Sequence, residues 1–205
     1  MSNNSLIKYR PPGKVAAAFH HSEAFVRGLK GPVGSGKSST CCMEIMRHTL
    51  KQKPFNGVRR ARWAVIRNTY PELKSTTIKT WENWFNSDIA PIKWDTPITS
   101  TIRIKDCGDG NALELEVVFL ALDKASETGK LRSLELTGGW INEASEVPKE
   151  VFDMLTQRVG RYPPKTMGGP THPCVILDTN PPDDDHWYYK FAEEDRPENW
   201  DFFDQ

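Results

Sequence analysis

The chain has 205 residues, of which 38% are hydrophobic and 26% charged, and this length holds enough apolar material for one domain with a buried core. No run of apolar residues approaches the ~18 that a membrane-spanning helix needs, which excludes a transmembrane protein. Lys and Arg together number 27, as do Asp and Glu, so the formal net charge is +0. This excludes a protein whose whole surface is basic enough to bind nucleic acid, but it does not exclude a local basic patch.

The first half of the chain alternates predicted strands and helices. Residues 1–22 contain two adjacent prolines and are expected to form an irregular lead-in. A strand over 24–29 runs into a glycine-rich turn, and the spacing of apolar residues favours a helix over 38–50. A buried strand over 62–67 and a helix over 71–85, opened by a proline, come next.

The second half adds a hairpin and returns to alternation. Two β-rich runs, 101–105 and 112–122, flank the turn sequence Gly108-Asp-Gly-Asn111 and predict antiparallel strands. Further along, the patterns predict a strand, a helix and a buried strand, over 134–141, 148–159 and 174–178. A short helix and an acidic, aromatic tail follow. This alternation favours an α/β three-layer sandwich around a mostly parallel central sheet, with the antiparallel hairpin added.

A phosphate-binding loop is the most specific motif. Residues 31–38 read Gly-Pro-Val-Gly-Ser-Gly-Lys-Ser and match G-x-x-x-x-G-K-[ST] at every specified position. Lys37 is expected to reach the β- and γ-phosphates and the Ser38 hydroxyl to bind Mg²⁺. The predicted nucleotide-binding residues are Gly31, Pro32, Val33, Gly34, Ser35, Gly36, Lys37, Ser38 and Ser39. The motif therefore predicts a P-loop NTPase that binds a nucleoside triphosphate. The alternative is a glycine-rich turn that carries Lys-Ser by chance.

An acidic residue after a buried strand is the second part of the predicted site. Glu143 follows Trp140 and Ile141, so it should emerge at the carboxyl edge of the sheet, where ligands of open α/β folds bind. Its expected role is to orient and polarise the attacking water. Asn142 precedes it where such sites usually carry Asp, and we expect it in the Mg²⁺ shell with weaker metal binding. The alternative for Glu143 is a cap on the next helix.

Taken in order, these motifs resemble the ATPase half of the large terminase subunit of tailed double-stranded DNA phages, over nearly the whole chain. Three further segments support the resemblance. Residues 9–19 look like the family's N-terminal segment near the adenine, and residues 65–75 look like its Arg-x-Thr…Leu…Ser segment. Residues 178–182, Asp-Thr-Asn-Pro-Pro, are similar to the motif that couples nucleotide state to movement.

The resemblance also implies roles for individual residues. Tyr9 and Arg10 are expected on the adenine side of the nucleotide. Gly129-Lys-Leu-Arg132 precedes the acidic strand as the family's Leu-Arg-Gly segment does, with Ser133 in place of the glycine, so Arg132 is the candidate arginine finger for a neighbouring subunit. A surface salt bridge with an adjacent glutamate is the alternative. Thr179 and Asn180 are the coupling candidates, and turn-making before Pro181-Pro182 is their alternative.

The function implied is ATP hydrolysis that drives double-stranded DNA into a procapsid in the host cell cytoplasm, with ATP and Mg²⁺ as ligands and no membrane contact. The implied partners are the portal, the small terminase subunit and further copies in a ring. Residues 1–205 correspond to the motor domain, with 1–22 as its adenine-side segment and without the nuclease that usually follows. Two alternatives stay open. One is a P-loop kinase for a nucleotide or small molecule, and the other is a nucleotide-gated assembly module with little turnover.

A basic run is the candidate contact for DNA. It comprises Lys51, Lys53, Arg59, Arg60 and Arg62. Phosphate contacts from such residues would be independent of sequence and sensitive to salt. A solvated loop between a helix and a strand is the alternative.

Overall fold

A single eight-stranded sheet forms the centre of the computed structural model, which describes residues 8–205. Its strands are β1 (Val26–Lys30), β2 (Val58–Arg67), β3 (Ile92–Lys93), β4 (Ile98–Ile104), β5 (Ala112–Ala121), β6 (Gly138–Asn142), β7 (Cys174–Thr179) and β8 (Trp200–Asp204). They lie in the order β3-β4-β5-β2-β6-β7-β1-β8. Pairs from β5 to β8 are parallel, whereas β3–β4 and β4–β5 are antiparallel. The predicted α/β fold is confirmed.

Helices cover both faces of this sheet. They are α1 (Lys14–His21), α2 (Lys37–Lys51), α3 (Tyr70–Glu72), α4 (Lys79–Trp84), α5 (Gly129–Arg132), α6 (Lys149–Arg158) and α7 (Trp187–Tyr189). Two π-helical segments, Leu73–Ile78 and Lys190–Asp195, and three 3-10 segments, Ala125–Thr128, Ala144–Glu146 and Lys165–Met167, complete the set. None of the helices in residues 8–205 combines the length and the apolar character that crossing a membrane requires.

Two hydrophobic cores lie on opposite faces of the sheet because side chains alternate along each strand. In β2, Trp63 and Val65 pack into the core that α2 and α4 cover, and Ala64 and Ile66 pack into the core that α6 covers. The result is the three-layer arrangement expected from alternating strands and helices.

The chain ends differ from the sequence-based expectation. Part of the predicted irregular lead-in is the helix α1, in which Ala16 and Phe19 are buried and neighbouring alanines favour the helical state. The acidic tail is an edge strand, β8, which pairs in parallel with β1. Its residues Phe202 and Phe203 pack against opposite cores, which is the alternation of a strand rather than a loop.

Two predicted strand boundaries also move. β2 begins at Val58, earlier than expected, because β5 pairs with it along its whole length. β6 begins at Gly138, later than expected. A side chain at Gly138 would collide with Trp63, and one at Gly139 would collide with Leu155, so the two glycines permit the close packing that starts this strand.

Candidate nucleotide-binding site

The phosphate-binding loop connects β1 to the 15-residue helix α2. Gly34 and Gly36 have φ values of +79° and +87°, a conformation that side-chain-bearing residues rarely adopt. Gly36 caps α2 without a side-chain hydrogen bond, so the amides of the first turn stay available. An anion is favoured there because N–H groups and the positive end of the helix dipole point to one place.

The Lys37 ammonium lies over this loop and is almost completely buried. Its Nζ donates hydrogen bonds to the carbonyl oxygens of Gly31 and Pro32 at 2.8 and 2.9 Å and to Asn180 Oδ1 at 3.1 Å. A positive charge held inside the concave face of the loop favours the binding of phosphate oxygens.

Segments from both ends of the described chain flank the loop. The Gln205 side chain donates to the Ser35 carbonyl, and Pro12 lies against Gly36. Tyr9 packs instead beside α2, where its hydroxyl bonds to His20 Nε2 at 2.9 Å. Arg10 is exposed. The predicted adenine-side segment therefore passes the loop, although Pro12 approaches it more closely than Tyr9 does.

Glu143 lies directly after β6, at the carboxyl edge of the sheet, with an unusual left-handed backbone (φ +52°). Its Oε2 accepts a hydrogen bond from the backbone N–H of Asn180 at 3.3 Å. The side chain does not cap the following 3-10 segment, which removes the structural alternative for this residue. Burial, and then the nearby charge of Asp178, raise the pKa of the Glu143 carboxyl above its ordinary value.

A buried polar network lies next to Glu143. Asn142 Nδ2 donates to both carboxylate oxygens of Asp178 at 3.0 Å, and Asn142 Oδ1 accepts from Thr77 Oγ1 at 2.6 Å. Asp178 Oδ2 also accepts from Ser38 Oγ at 3.0 Å. The network therefore joins the two predicted metal-shell residues, Ser38 and Asn142, through Asp178, which the sequence placed in the coupling segment 178–182 and not in the metal shell.

The two coupling candidates touch both halves of the site. Thr179 Oγ1 accepts from the backbone N–H of Ser145, and the Thr179 carbonyl accepts from the N–H of Gly31. Asn180 contacts Lys37 and Glu143. Thr179 is fully buried at the end of β7, so the pair does more than lead into Pro181.

Arg132 ends α5 with an exposed side chain. Within residues 8–205 it forms no ion pair, and Glu127, a partner considered for it, pairs with Lys130 instead. Arg67 is the arginine of the Arg-x-Thr segment but was not among the predicted site residues. It is a buried cation near Glu143 and pairs with Glu146 at 2.8 Å. Its signal in the sequence is that motif, at the end of an apolar strand.

The basic run is divided by the fold. Three of its members lie in β2 rather than in a loop, and each pairs with an acidic residue: Arg59 with Asp109, Arg60 with Glu114 and Arg62 with Glu116. Lys51 is exposed and pairs with Glu23 at 3.4 Å. Lys53 is exposed and has no ion pair within the part of the chain that the structure describes.

Comparisons with known proteins agree with this fold. The family model described as terminase large subunit, T4-like-virus type, N-terminal, matches residues 29–203. A large terminase from a thermophilic bacteriophage, in complex with ADP, superposes with a TM-score of 0.67 and 13% identity, over 93% of this chain and 43% of that chain. The large terminase ATPase domain of Thermus phage P74-26 superposes with a TM-score of 0.61 and 15% identity, over 97% of this chain and 82% of that chain.

The first of these two terminases has also been solved in complex with ATP-γ-S, and that structure superposes with a TM-score of 0.65 and 12% identity over 93% of this chain. The present chain spans less than half the length of the chains in the ADP and ATP-γ-S complexes. A comparison with curated proteins finds no match.

Proposed function

This chain belongs to the family of terminase large subunits of the T4-like-virus type, and from that premise we propose that it is an ATP-hydrolysing motor that drives double-stranded DNA into a viral procapsid. The phosphate-binding loop and the ADP and ATP-γ-S complexes of the thermophilic bacteriophage terminase support ATP as the substrate. The resemblance adds the portal, the small terminase subunit and a ring of identical copies as partners.

One observation carries the proposal. Asn180 contacts the phosphate-binding Lys37 through its side chain and the candidate catalytic Glu143 through its backbone. A P-loop lysine and a carboxylate at one edge of the sheet suit phosphoryl transfer to water. A kinase would also use a carboxylate, to activate the hydroxyl of its acceptor, so the requirement for an acceptor other than water separates the two alternatives.

The chain's own groups perform separate parts of the reaction. Loop amides and the Lys37 ammonium bind the phosphates and offset their charge. Glu143 orients a water molecule and accepts its proton as the water oxygen bonds to the γ-phosphorus and the bond to ADP breaks. The raised pKa of the Glu143 carboxyl makes it a better proton acceptor than an exposed glutamate.

Mg²⁺ fits the same edge of the sheet, because a serine hydroxyl and a buried carboxylate already touch there. Mg²⁺ is usually held by one or two carboxylates together with phosphate oxygens of the substrate. When bound, it neutralises charge on the β- and γ-phosphates. Among residues 8–205, no group of three or more His, Cys, Asp or Glu side chains is placed to hold a metal by itself, which agrees with a site completed by nucleotide.

The test is steady-state ATP hydrolysis, with and without duplex DNA, by wild type, Glu143→Gln and the control Glu150→Gln. Glu150 is an exposed glutamate in the first turn of α6. We expect Glu143→Gln to lose about 10²–10⁴-fold in rate while it still binds ADP, and Glu150→Gln to match wild type. Unchanged turnover in Glu143→Gln would contradict the proposal and favour an assembly module with little turnover. ATP use that requires a non-water acceptor would favour a kinase.

A further inference from the structure

Position 142, before Glu143, holds an amide where Mg²⁺ sites of this kind usually have a carboxylate. The neighbouring strand has a carboxylate directly beside that position. Asn142 and Asp178 are register partners on the parallel strands β6 and β7. Both residues lie at the carboxyl edge of the sheet, next to Ser38. This inference rests on the proposed function, because it concerns the Mg²⁺ that accompanies ATP.

The hydrogen bonds fix which group of Asn142 faces the site. A carboxylate can only accept hydrogen bonds, so the group 3.0 Å from both oxygens of Asp178 must be the amide nitrogen of Asn142. The amide oxygen is then turned away and accepts from Thr77. Asn142 therefore presents a donor, which repels a cation, and its acceptor is already in use.

Asp178 has the opposite character. It is fully buried and accepts hydrogen bonds from Ser38, from Asn142 and, at 2.7 Å, from Trp140 Nε1. Within residues 8–205 no Lys, Arg or His forms a salt bridge with it. The charge of Lys37 lies nearby but forms no ion pair with Asp178, so the buried carboxylate is only partly compensated. A cation beside it removes much of the remaining cost.

We propose that Asp178 supplies the carboxylate of the Mg²⁺ site together with the Ser38 hydroxyl, and that Asn142 and Trp140 orient it. The negative charge has moved from position 142 to its register partner on the next strand. Two donors hold the carboxylate in place, which is how outer residues usually support a metal-binding group.

The test measures how much Mg²⁺ tightens ADP binding, by isothermal titration calorimetry with and without the metal. The variant Asp178→Asn keeps the size of the side chain and removes its charge. The metal-dependent gain is the factor by which Mg²⁺ tightens ADP binding. We expect Asp178→Asn to reduce this gain about 10–100-fold and to keep the Mg²⁺-free affinity for ADP. The control Asp183→Asn, at an exposed position after the same strand, should keep the wild-type gain.

A reciprocal exchange makes the test specific. The double variant Asn142→Asp/Asp178→Asn returns the carboxylate to β6 and should recover most of the gain. Titration with Mn²⁺, followed by electron paramagnetic resonance in the presence of ADP, gives the metal affinity directly. If Asp178→Asn does not fold, the smaller substitution Asp178→Ser replaces it, since it also removes the carboxylate. Loss of the gain in that variant supports the proposal, and retention opposes it.

An unchanged gain in Asp178→Asn would overturn the proposal and leave Asp178 as a structural partner of Trp140 and Asn142. A wild type whose ADP affinity ignores Mg²⁺ would overturn it as well. ADP binding does not require turnover. A wild type that depends on Asp178 for Mg²⁺ but does not hydrolyse ATP would therefore refute the proposed function and leave this inference standing.

Discussion

The backbone N–H of Asn180 donates a hydrogen bond to Glu143 Oε2 at 3.3 Å, so the segment after β7 touches the carboxylate that follows β6. The side chain of Asn180 accepts from Lys37 Nζ at 3.1 Å. If Lys37 exchanges this partner for phosphate oxygens, Asn180 becomes free to shift against Glu143. One residue thus offers a direct mechanical connection between phosphate binding and the position of the candidate base.

The first prediction concerns that connection. Asn180→Ala removes the bond to Lys37 and keeps the backbone bond to Glu143. Because Lys37 gives up that bond before hydrolysis, its energy of about 1.5–3 kcal/mol should appear as tighter ATP binding by up to about 10–100-fold. We expect kcat to fall as well, because Asn180 no longer links phosphate binding to Glu143. Steady-state kinetics and ATP-γ-S titration measure the two effects. A loss of affinity with normal kcat would contradict the coupling role.

Local sequence patterns were sufficient for the parts of the site that lie within one segment. The loop over residues 31–38 is a short motif whose glycines and lysine act on the backbone around them, and Glu143 follows a recognisable apolar strand. Both were predicted because the relevant physics acts over a few residues.

The contact between Ser38 and Asp178 was not predictable in this way. It joins residues 140 positions apart and depends on β7 lying between β1 and β6. Periodicity assigns strands but not their order in a sheet, so it did not predict that Asp178 lies beside the loop. The tail was missed for a related reason: β8 is stabilised by pairing with β1 at the far end of the chain, and isolated strands carry weak local signals.

The second prediction concerns DNA. Arg59, Arg60 and Arg62 are held by acidic partners, whereas Lys53 is exposed and unpaired among residues 8–205. Neutralising a phosphate releases counterions, with a salt slope of about −0.9 for each phosphate contacted. We therefore expect Lys53→Ala to reduce the slope of log affinity against log salt by about 1. Arg62→Ala should leave the slope nearly unchanged.

Fluorescence anisotropy with duplexes of unrelated sequence, across a series of salt concentrations, measures these slopes. Both variants should bind every duplex with the same relative change, because phosphate contacts carry no base information. An effect of Arg62→Ala as large as that of Lys53→Ala would mean that the pair between Arg62 and Glu116 opens on DNA.

The third prediction concerns a buried charge cluster behind the site. Glu44 of α2 is fully buried and pairs with Arg27 at 2.6 Å, with His48 at 2.9 Å and with His20. Burial opposes the ionisation of Glu44, but hydrogen bonds from His20 and His48 and the charge of Arg27 outweigh it and hold its pKa well below the usual range. The ionised carboxylate therefore ties β1, α1 and α2 together.

Glu44→Gln leaves Arg27 buried without a countercharge and should lower the free energy of unfolding by about 3–5 kcal/mol at neutral pH. A carboxyl group with a lower pKa in the folded chain stabilises the fold above its unfolded pKa and loses this effect as the pH falls. The difference between wild type and variant should therefore shrink below about pH 4.3. Urea unfolding across pH measures it. The exposed control Glu82→Gln should change stability by less than about 0.5 kcal/mol at every pH.

The fourth prediction concerns the exposed guanidinium of Arg132, which ends α5 without an ion pair in residues 8–205. An arginine delivered to a neighbour's γ-phosphate is worth about 10³–10⁵ in rate. Arg132→Ala should then be nearly inactive although its own loop binds ATP. The exposed Arg103 of β4 also lacks an ion pair in the described chain, so Arg103→Ala serves as the control and should keep wild-type turnover.

Mixing variants decides whether the arginine acts between subunits. Glu143→Gln keeps Arg132 but loses the base, and Arg132→Ala keeps the base but loses the arginine. In a mixed ring, the Arg132 of a Glu143→Gln subunit faces an intact base, so ATP hydrolysis should reappear on mixing and rise faster than linearly with concentration. Hydrolysis assays over a concentration series, with and without duplex DNA, measure both effects. Linear turnover that Arg132→Ala leaves untouched would instead indicate a site that is complete within one chain, because no step would then require a neighbour.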